Sequence, residues 1–370
     1  MDERALTERL ITYDTSTLEG MQSCAGFVKG WLEARDVEVT GTLHNGLPVL
    51  AATVGARRDV PTVIFHGHLD VVPGQAEQYS PRIEGDRMYG RGAYDMKGGL
   101  AGMMCAVVDL ADQQDTRIHF LCVSDEESDE ADQRGSDHLV EQGYVGSFAI
   151  TGEPTDLHVG VEAKGVLAMR IEVTGTAAHG STPWVGDNAV LKALDVFRVI
   201  ESLPFARESS DLFDRPSINL GRILGGDAVN KVPDVCTIDV DIRFLPGQDS
   251  DAILAAIDDL PDTRVVKTFR RSPAIVQREN PFVRVLGMAI GKVAPRAERI
   301  SVGRHGASDA TAFLDVGVPA VEFGPEGSGH HGPEEWVSIR SLSQYREALV
   351  EFVRLLPQEL SEDARRLRIA

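Results

Sequence analysis

The chain has 370 residues, 42% of them hydrophobic and 25% charged, with a net charge of −20. That length suffices for two domains and a sizeable core, and the composition is that of an ordinary globular protein rather than a fibrous or disordered one. The charge argues against nucleic acid as a partner, and the absence of any run of about 18 apolar residues argues against a membrane span.

In chain order, residues 3–13 and 20–36 read as amphipathic helices, and the acidic start Met1-Asp2-Glu3 does not look like a secretory signal, so a cytoplasmic protein is expected. Thr62-Val-Ile-Phe-His66 is a short apolar run, read as a buried strand of a mostly parallel sheet. Residues 96–110, small and apolar with Gly98, Gly99 and Gly102, predict a helix packed closely on that sheet. Residues 117–123 and 148–150 predict two further buried strands. The alternation of strand and helix is that of an open α/β sheet, in which ligands sit beyond the carboxyl ends of the strands.

The pattern changes near residue 165. In 167–173, Leu167, Met169, Ile171 and Val173 take one face while Ala168, Arg170 and Glu172 take the other; 235–243 does the same. Period-two alternation marks half-exposed strands of an antiparallel sheet, which helices at about 186–201 and 250–260 would cover. After Pro281 the reading is helix 282–292, glycine-rich loop 303–308, strand 318–323 and closing helix 341–356. The domains expected are 1–164 with 279–370 for the first, and 165–278 for a smaller α+β domain inserted into it. Four cysteines (Cys24, Cys105, Cys122, Cys236) lack paired spacing, and buried free thiols are expected.

Five separated segments put imidazoles or carboxylates at strand ends and turns: His66-Gly-His68-Leu-Asp70, Gly90-Arg-Gly-Ala-Tyr-Asp95, Asp125-Glu126-Glu127, Gly152-Glu153-Pro154 and His330-His331-Gly-Pro-Glu334. A pair of divalent ions requires such a donor set. Each segment alone is weak evidence, because acidic clusters are usually solvated surface. His68 and Asp70 share one side of a strand, so Asp70 can accept the second ring N–H of a metal-binding His68; a capping Asp beside a buried His is the ordinary alternative. Asp95 fits either a bridging carboxylate or the N-cap of the following helix. Glu126 and Glu127 point apart in an extended backbone, so one can bind metal while the other stays free to move a proton. Asp125, Asp129, Glu130 and Asp132 are assigned to solvent. His66 competes with His68, and His330 with His331.

The segments GHLDVVP at 67–73, GRGAYDMKGG at 90–99, SDEES at 124–128, TGEPT at 151–155 and HHGPEEWV at 330–337, with GTAAHGSTPWVGDNAV at 175–190 and the stretch 225–247, resemble the M20 family of metallopeptidases and amidohydrolases. That family includes acetylornithine deacetylase, succinyl-diaminopimelate desuccinylase, aminoacylase and glutamate carboxypeptidase. The resemblance implies an α/β catalytic domain with a co-catalytic metal site and an inserted domain serving as lid and dimerisation surface. It implies His68, Asp95, Glu127, Glu153 and His331 as metal ligands, with Asp95 bridging and a cis peptide bond after it. Glu126 is then the general base for a metal-bridged water, Asp70 supports His68, His179 helps the oxyanion, and Asn230 and Arg243 contact substrate. An ion pair with Asp241 is the ordinary reading of Arg243.

The cofactors implied are two divalent ions, zinc first, with cobalt or manganese admitted by the same N/O donors. The substrate implied is a small N-acyl amino acid, with a dipeptidase or carboxypeptidase as the enzyme alternative, a non-catalytic metal-binding protein as the remote one, and a homodimer as the assembly. One departure stands out. Several relatives carry Gly-Gly-Thr-Asp-Ala-Arg in the late glycine loop; here the run is Gly306-Ala-Ser-Asp-Ala-Thr311. Thr311 replaces the arginine that clamps a substrate carboxylate, which puts both diaminopimelate-type and carboxypeptidase-type recognition in doubt.

Overall fold

A computed structural model describes residues 1–55, 60–127, 134–295, 300–306 and 308–369. The chain forms two compact units: Met1–Val161 with Val276–Val302 and Asp309–Ala370, and Glu162–Ile275 with Gly303–Ser308.

The first unit is built on a sheet ordered, from one edge, Val39–His44, Leu47–Val54, Arg117–Val123, Thr62–His68, Phe148–Thr151, Ala320–Glu322, Val159–Ala163. The first two strands form a hairpin whose turn residues Asn45 and Gly46 have φ of 50° and 82°, the positive values that favour Asn-Gly there. The middle pairs are parallel: Thr62–His68 with both Arg117–Val123 and Phe148–Thr151, and Phe148–Thr151 with Ala320–Glu322. The chain is apolar on both faces of these strands because helices cover both. On one side Leu139 and Phe313, from the helices Gly135–Glu141 and Ala310–Leu314, pack on Ile64, Leu121, Val123 and Ala149. On the other, Phe148 stacks on Phe282 of the helix Pro281–Val293 and lies beside Phe352 of the closing helix.

The helix expected at 96–110 is Gly98–Asp109, preceded by an irregular turn Ala93–Lys97 that contains a cis Asp95–Met96 bond. Its glycines permit close approach: a Cβ on Gly99 would stand 2.3 Å from the Gly152 carbonyl, and one on Gly102 would stand 2.6 Å from the Tyr345 ring. The closing helix is much longer than its periodicity predicts, Ile339–Ile369 with Pro357 inside. The start of the expected glycine-rich loop is a strand, Ile300–Arg304.

The second unit is a four-stranded antiparallel sheet ordered Ser217–Gly225, Val235–Phe244, Gly165–Thr174, Thr263–Arg271. Leu167, Met169, Ile171 and Val173 are buried with Cys236, Ile238, Val240 and Ile242 in one core, and Ala193 and Ile257 of the covering helices Ala189–Ile200 and Ser250–Asp258 complete it. Asn188 and Asp249 cap those helices through their side chains. All four cysteines are free and buried. Among the described residues no helix is long and apolar enough to cross a membrane.

Candidate metal centre

Three of the five segments sit at the carboxyl ends of adjacent parallel strands. His68 ends Thr62–His68 in register with Val123, two residues before Asp125, and His66 is in register with Thr151, two residues before Glu153. The register of these parallel strands thus delivers His68, Glu126, Glu127 and Glu153 to one edge of the sheet. The irregular turn Ala93–Lys97 brings Asp95, and a turn Gly329–Gly332 with His331 at φ 62° brings the last imidazole.

Asp95 lies between the two imidazoles. Its Oδ1 is 3.3 Å from His68 Nε2, and its Oδ2 is 3.5 Å from His331 Nε2. Glu153 Oε1 is 3.6 Å from His68 Nε2, and Glu127 Oε1 is 2.9 Å from His331 Nε2. Two donor groups result, His68–Asp95–Glu153 and Asp95–Glu127–His331, each with its ligating atoms within 4.8 Å of one another and both using Asp95. A third group, His68–Glu126–Glu127, meets the same limit. His330 belongs to none of these groups and lies over the Tyr94 ring at 6.0 Å. The His66 ring faces Ser136 Oγ at 2.9 Å instead.

The charges in this cluster are strongly coupled. Burial works to lower His68, yet hydrogen bonding to Asp70 and Asp95 and the charge of Glu153 hold it well above the usual imidazole range. His331 is pushed up to about 10 by its hydrogen bonds with Asp95 and Glu127. Burial works to raise Asp95 too, but the two imidazoles prevail and it lies below the carboxylate range. Glu153 is raised well above that range by burial and by the Asp95 charge. The N/O donor set, with one carboxylate presenting an oxygen to each imidazole, fits a pair of divalent ions, whose binding would displace protons held by these groups.

Glu126 is pushed up to about 8, chiefly by burial, with His68 opposing and the Asp309 charge adding to the rise. A carboxylate that resists ionisation is suited to accept and return a proton, and cations beside it would bring it down. Asp70 differs from its expected contact: His68 Nδ1 meets the Asp70 backbone carbonyl at 3.0 Å and the carboxylate only at 3.5 Å. Asp70 Oδ2 accepts from the Glu127 N–H at 2.9 Å, and its Oδ1 is the oxygen that lies 3.5 Å from His68 Nδ1. Asp125 corrects an expectation. The acidic run around it predicts a solvated side chain, but Asp125 is 3% exposed, and its Oδ2 accepts from the Gly135 N–H at 2.8 Å, which anchors the start of the helix Gly135–Glu141. Asp129, Glu130 and Asp132 lie outside the described residues.

Two groups absent from the sequence reading organise the cluster. Glu335, 1% exposed, accepts from the N–H groups of Gly92, Tyr94 and Asp95, each at 3.0 Å, and from Arg91 Nη1 at 2.9 Å. Arg91 Nη2 also donates to the His331 carbonyl at 3.2 Å. One buried ion pair therefore fixes the backbone of both Asp95 and His331. The Glu four residues after His331 was the available signal. The second group is Arg134, whose Nη1 lies 3.1 Å from Glu126 Oε1 and 2.9 Å from Asp309 Oδ1.

In the second unit His179 and Asn230 are neighbours, with the Gly180 N–H donating to the Asn230 carbonyl at 2.7 Å. The Ser181 backbone N–H donates to His179 Nδ1 at 3.1 Å. That makes Nδ1 an acceptor, so the neutral ring carries its hydrogen on Nε2 and keeps a donor there. Arg243 pairs with Asp241 at 3.0 Å on the open face of its sheet. Thr311, at the position of the missing arginine, is 3% exposed in the helix Ala310–Leu314.

Comparison with known proteins finds relatives over most of the chain. A succinyl-diaminopimelate desuccinylase of Gluconobacter oxydans is 30% identical over 327 residues, covering 83% of this chain and 84% of its own. A tripeptidase structure from Staphylococcus aureus superposes with a TM-score of 0.80 at 19% identity, covering 96% of this chain and 98% of its own. The M20 family metallo-carboxypeptidase Sso-CP2 of Sulfolobus solfataricus superposes with a TM-score of 0.78 at 18% identity, covering 96% of this chain and all of its own. The sequence profile of Peptidase family M20/M25/M40 matches residues 64–355, and the chain belongs to that family of metal-dependent hydrolases.

Proposed function

We propose that this enzyme hydrolyses the amide bond of a small N-acyl amino acid, of the N-acetyl or N-succinyl kind. The observation that carries the reading is Asp95, with one oxygen toward His68 and the other toward His331, and Glu126 alongside. His68 and Glu153 would hold one divalent ion, Glu127 and His331 the other, and Asp95 both, with zinc the first choice and cobalt or manganese also suited to these donors. When bound, such ions polarise the acyl carbonyl and acidify the attacking water.

Glu126 accepts the proton from that water at a carboxylate oxygen. As the C–N bond breaks, it returns the proton to the leaving amine, giving a carboxylate and a free amino acid. His179, with its hydrogen on Nε2, is proposed to reach the partner's active site in the dimer and to supply a donor for the developing oxyanion there, and Asn230 and Arg243 are proposed substrate contacts. We further propose a homodimer that joins through the second unit, 165–278 in the sequence division, and a cytoplasmic setting.

The desuccinylase relative supports an acyl substrate, while Thr311 in place of an arginine argues against the same carboxylate clamp. A dipeptidase or carboxypeptidase specificity is the second reading, because the matching family model is that of a peptidase family. A panel of acetylated, succinylated and dipeptide substrates separates the two: preferential hydrolysis of dipeptides would overturn the first. Glu126→Gln tests the base. The expected result is retained metal with kcat lowered about 100- to 10,000-fold; retained metal with full activity would reject the assignment.

A further inference from the structure

The cluster offers Glu126 two fates. It can join His68 and Glu127 around a cation, since those three groups bring ligating atoms within 4.8 Å of one another. Or it can stay unligated and move protons. Adjacent carboxylates on one turn do not by themselves choose between these, so something must hold Glu126 back.

That restraint is visible in Arg134. Its Nη1 donates to Glu126 Oε1 at 3.1 Å and to Asp309 Oδ1 at 2.9 Å. Asp309, whose side chain is 2% exposed, receives Ser136 Oγ on its other oxygen at 2.6 Å. Ser136 Oγ is in turn 2.9 Å from His66 Nε2, and the His66 ring stands edge-on to Phe313 at 5.4 Å. The helix carrying Ser136 is fixed at its start by the bond from the Gly135 N–H to Asp125. The guanidinium is thus anchored from behind by a buried chain, Asp309–Ser136–His66, and presents a donor to one oxygen of Glu126. Among the described residues no hydrogen bond falls on the second oxygen, which we assign to the reacting proton.

We propose that Arg134 is a positioning residue that keeps Glu126 out of the metal coordination set and aims it at the water and the leaving amine. This rests on the reading of Glu126 as the base. It also assigns a use to Ser136, Asp309 and the histidine that lost the competition for the metal. Asp309 belongs to the late glycine loop, so in this chain that segment serves the base.

The test is Arg134→Gln in the zinc-loaded enzyme, read by steady-state kinetics and by zinc competition against a chelator. A misaligned base is expected to lower kcat about 100-fold with KM nearly unchanged. Zinc is expected to bind at full stoichiometry and at least as tightly, because the freed Glu126 becomes an extra ligand. Arg134→Lys should restore part of the rate, and Asp309→Asn should move kcat and zinc affinity in the same directions as Arg134→Gln; these two carry the test if the Gln variant does not fold. Combining Arg134→Gln with Glu126→Gln should add little to the loss from Glu126→Gln alone. Wild-type kcat in Arg134→Gln, or a rate loss that only follows lost zinc, overturns the proposal while the base assignment stands. An active Glu126→Gln enzyme overturns both.

Discussion

Replacing Glu335 tests whether a single buried carboxylate holds the two cation-binding loops together. Glu335→Ala leaves the N–H groups of Gly92, Tyr94 and Asp95 without their acceptor. It also leaves the Arg91 guanidinium, whose side chain is 4% exposed, without its counter-charge. An uncompensated buried charge costs about 3–5 kcal/mol, and each orphaned donor about 1–3 kcal/mol when water does not reach it. Water entering the space left by the side chain relieves part of this, so the net loss is set at about 5 kcal/mol. Glu335→Gln keeps Oε1 for Tyr94 and Asp95 but turns an amide NH2 toward Gly92 and Arg91, and about 2–3 kcal/mol is expected.

The assay is the urea midpoint of the metal-free protein, with the slope checked for constancy. Zinc affinity is measured in parallel and should fall about 10- to 100-fold in both variants as Asp95 loses its backbone support. Both variants within about 1 kcal/mol of the parent, with zinc affinity unchanged, would refute the reasoning, because the bonds to Glu335 would then contribute little more than a surface pair does.

Other consequences can be checked with the same protein. Chelation should abolish hydrolysis without unfolding the chain and should lower the thermal midpoint on the order of 10 °C relative to protein with zinc at about a thousand times its dissociation constant; helical circular dichroism lost at room temperature, or hydrolysis unaffected, would count against the metal centre. A pH effect is expected from His119, which burial, with the Arg117 charge, holds down to about 4. In the unfolded chain the ring titrates near ~6.5, so between the two values only the unfolded state takes the proton. Stability is therefore full above the unfolded value and is lost as pH falls toward the folded one. His119→Gln can keep the contact with Thr53 Oγ1 and should flatten this slope by about 1 kcal/mol, a figure reduced for partial solvent screening. Equal urea midpoint shifts between about pH 7 and about pH 5 in variant and parent would exclude the effect.

Much of the architecture was legible in the sequence because its signals are local. Alternation along 167–173 and 235–243 names the buried face of the second sheet residue by residue, since neighbouring side chains on a strand must point opposite ways. The apolar runs ending at His66, Val123 and Ile150 mark the parallel strands, and the motifs that follow them mark one end of the sheet. Glycine at 99 and 102 signals a helix lying close on its neighbours, and the contacts with Gly152 and Tyr345 show how close.

What only the tertiary structure decided is which charge meets which. Asp125 reads as one more acid in an exposed acidic run, and it is buried because the backbone of residue 135 needs an acceptor there. Arg91 and Glu335 lie 244 positions apart, and Arg134 and Asp309 lie 175 apart. No periodicity links such pairs. A strand or helix repeats every few residues because backbone geometry is local, whereas a buried ion pair depends on where two distant segments come to rest, and that is fixed by the packing of the whole sheet and its helices.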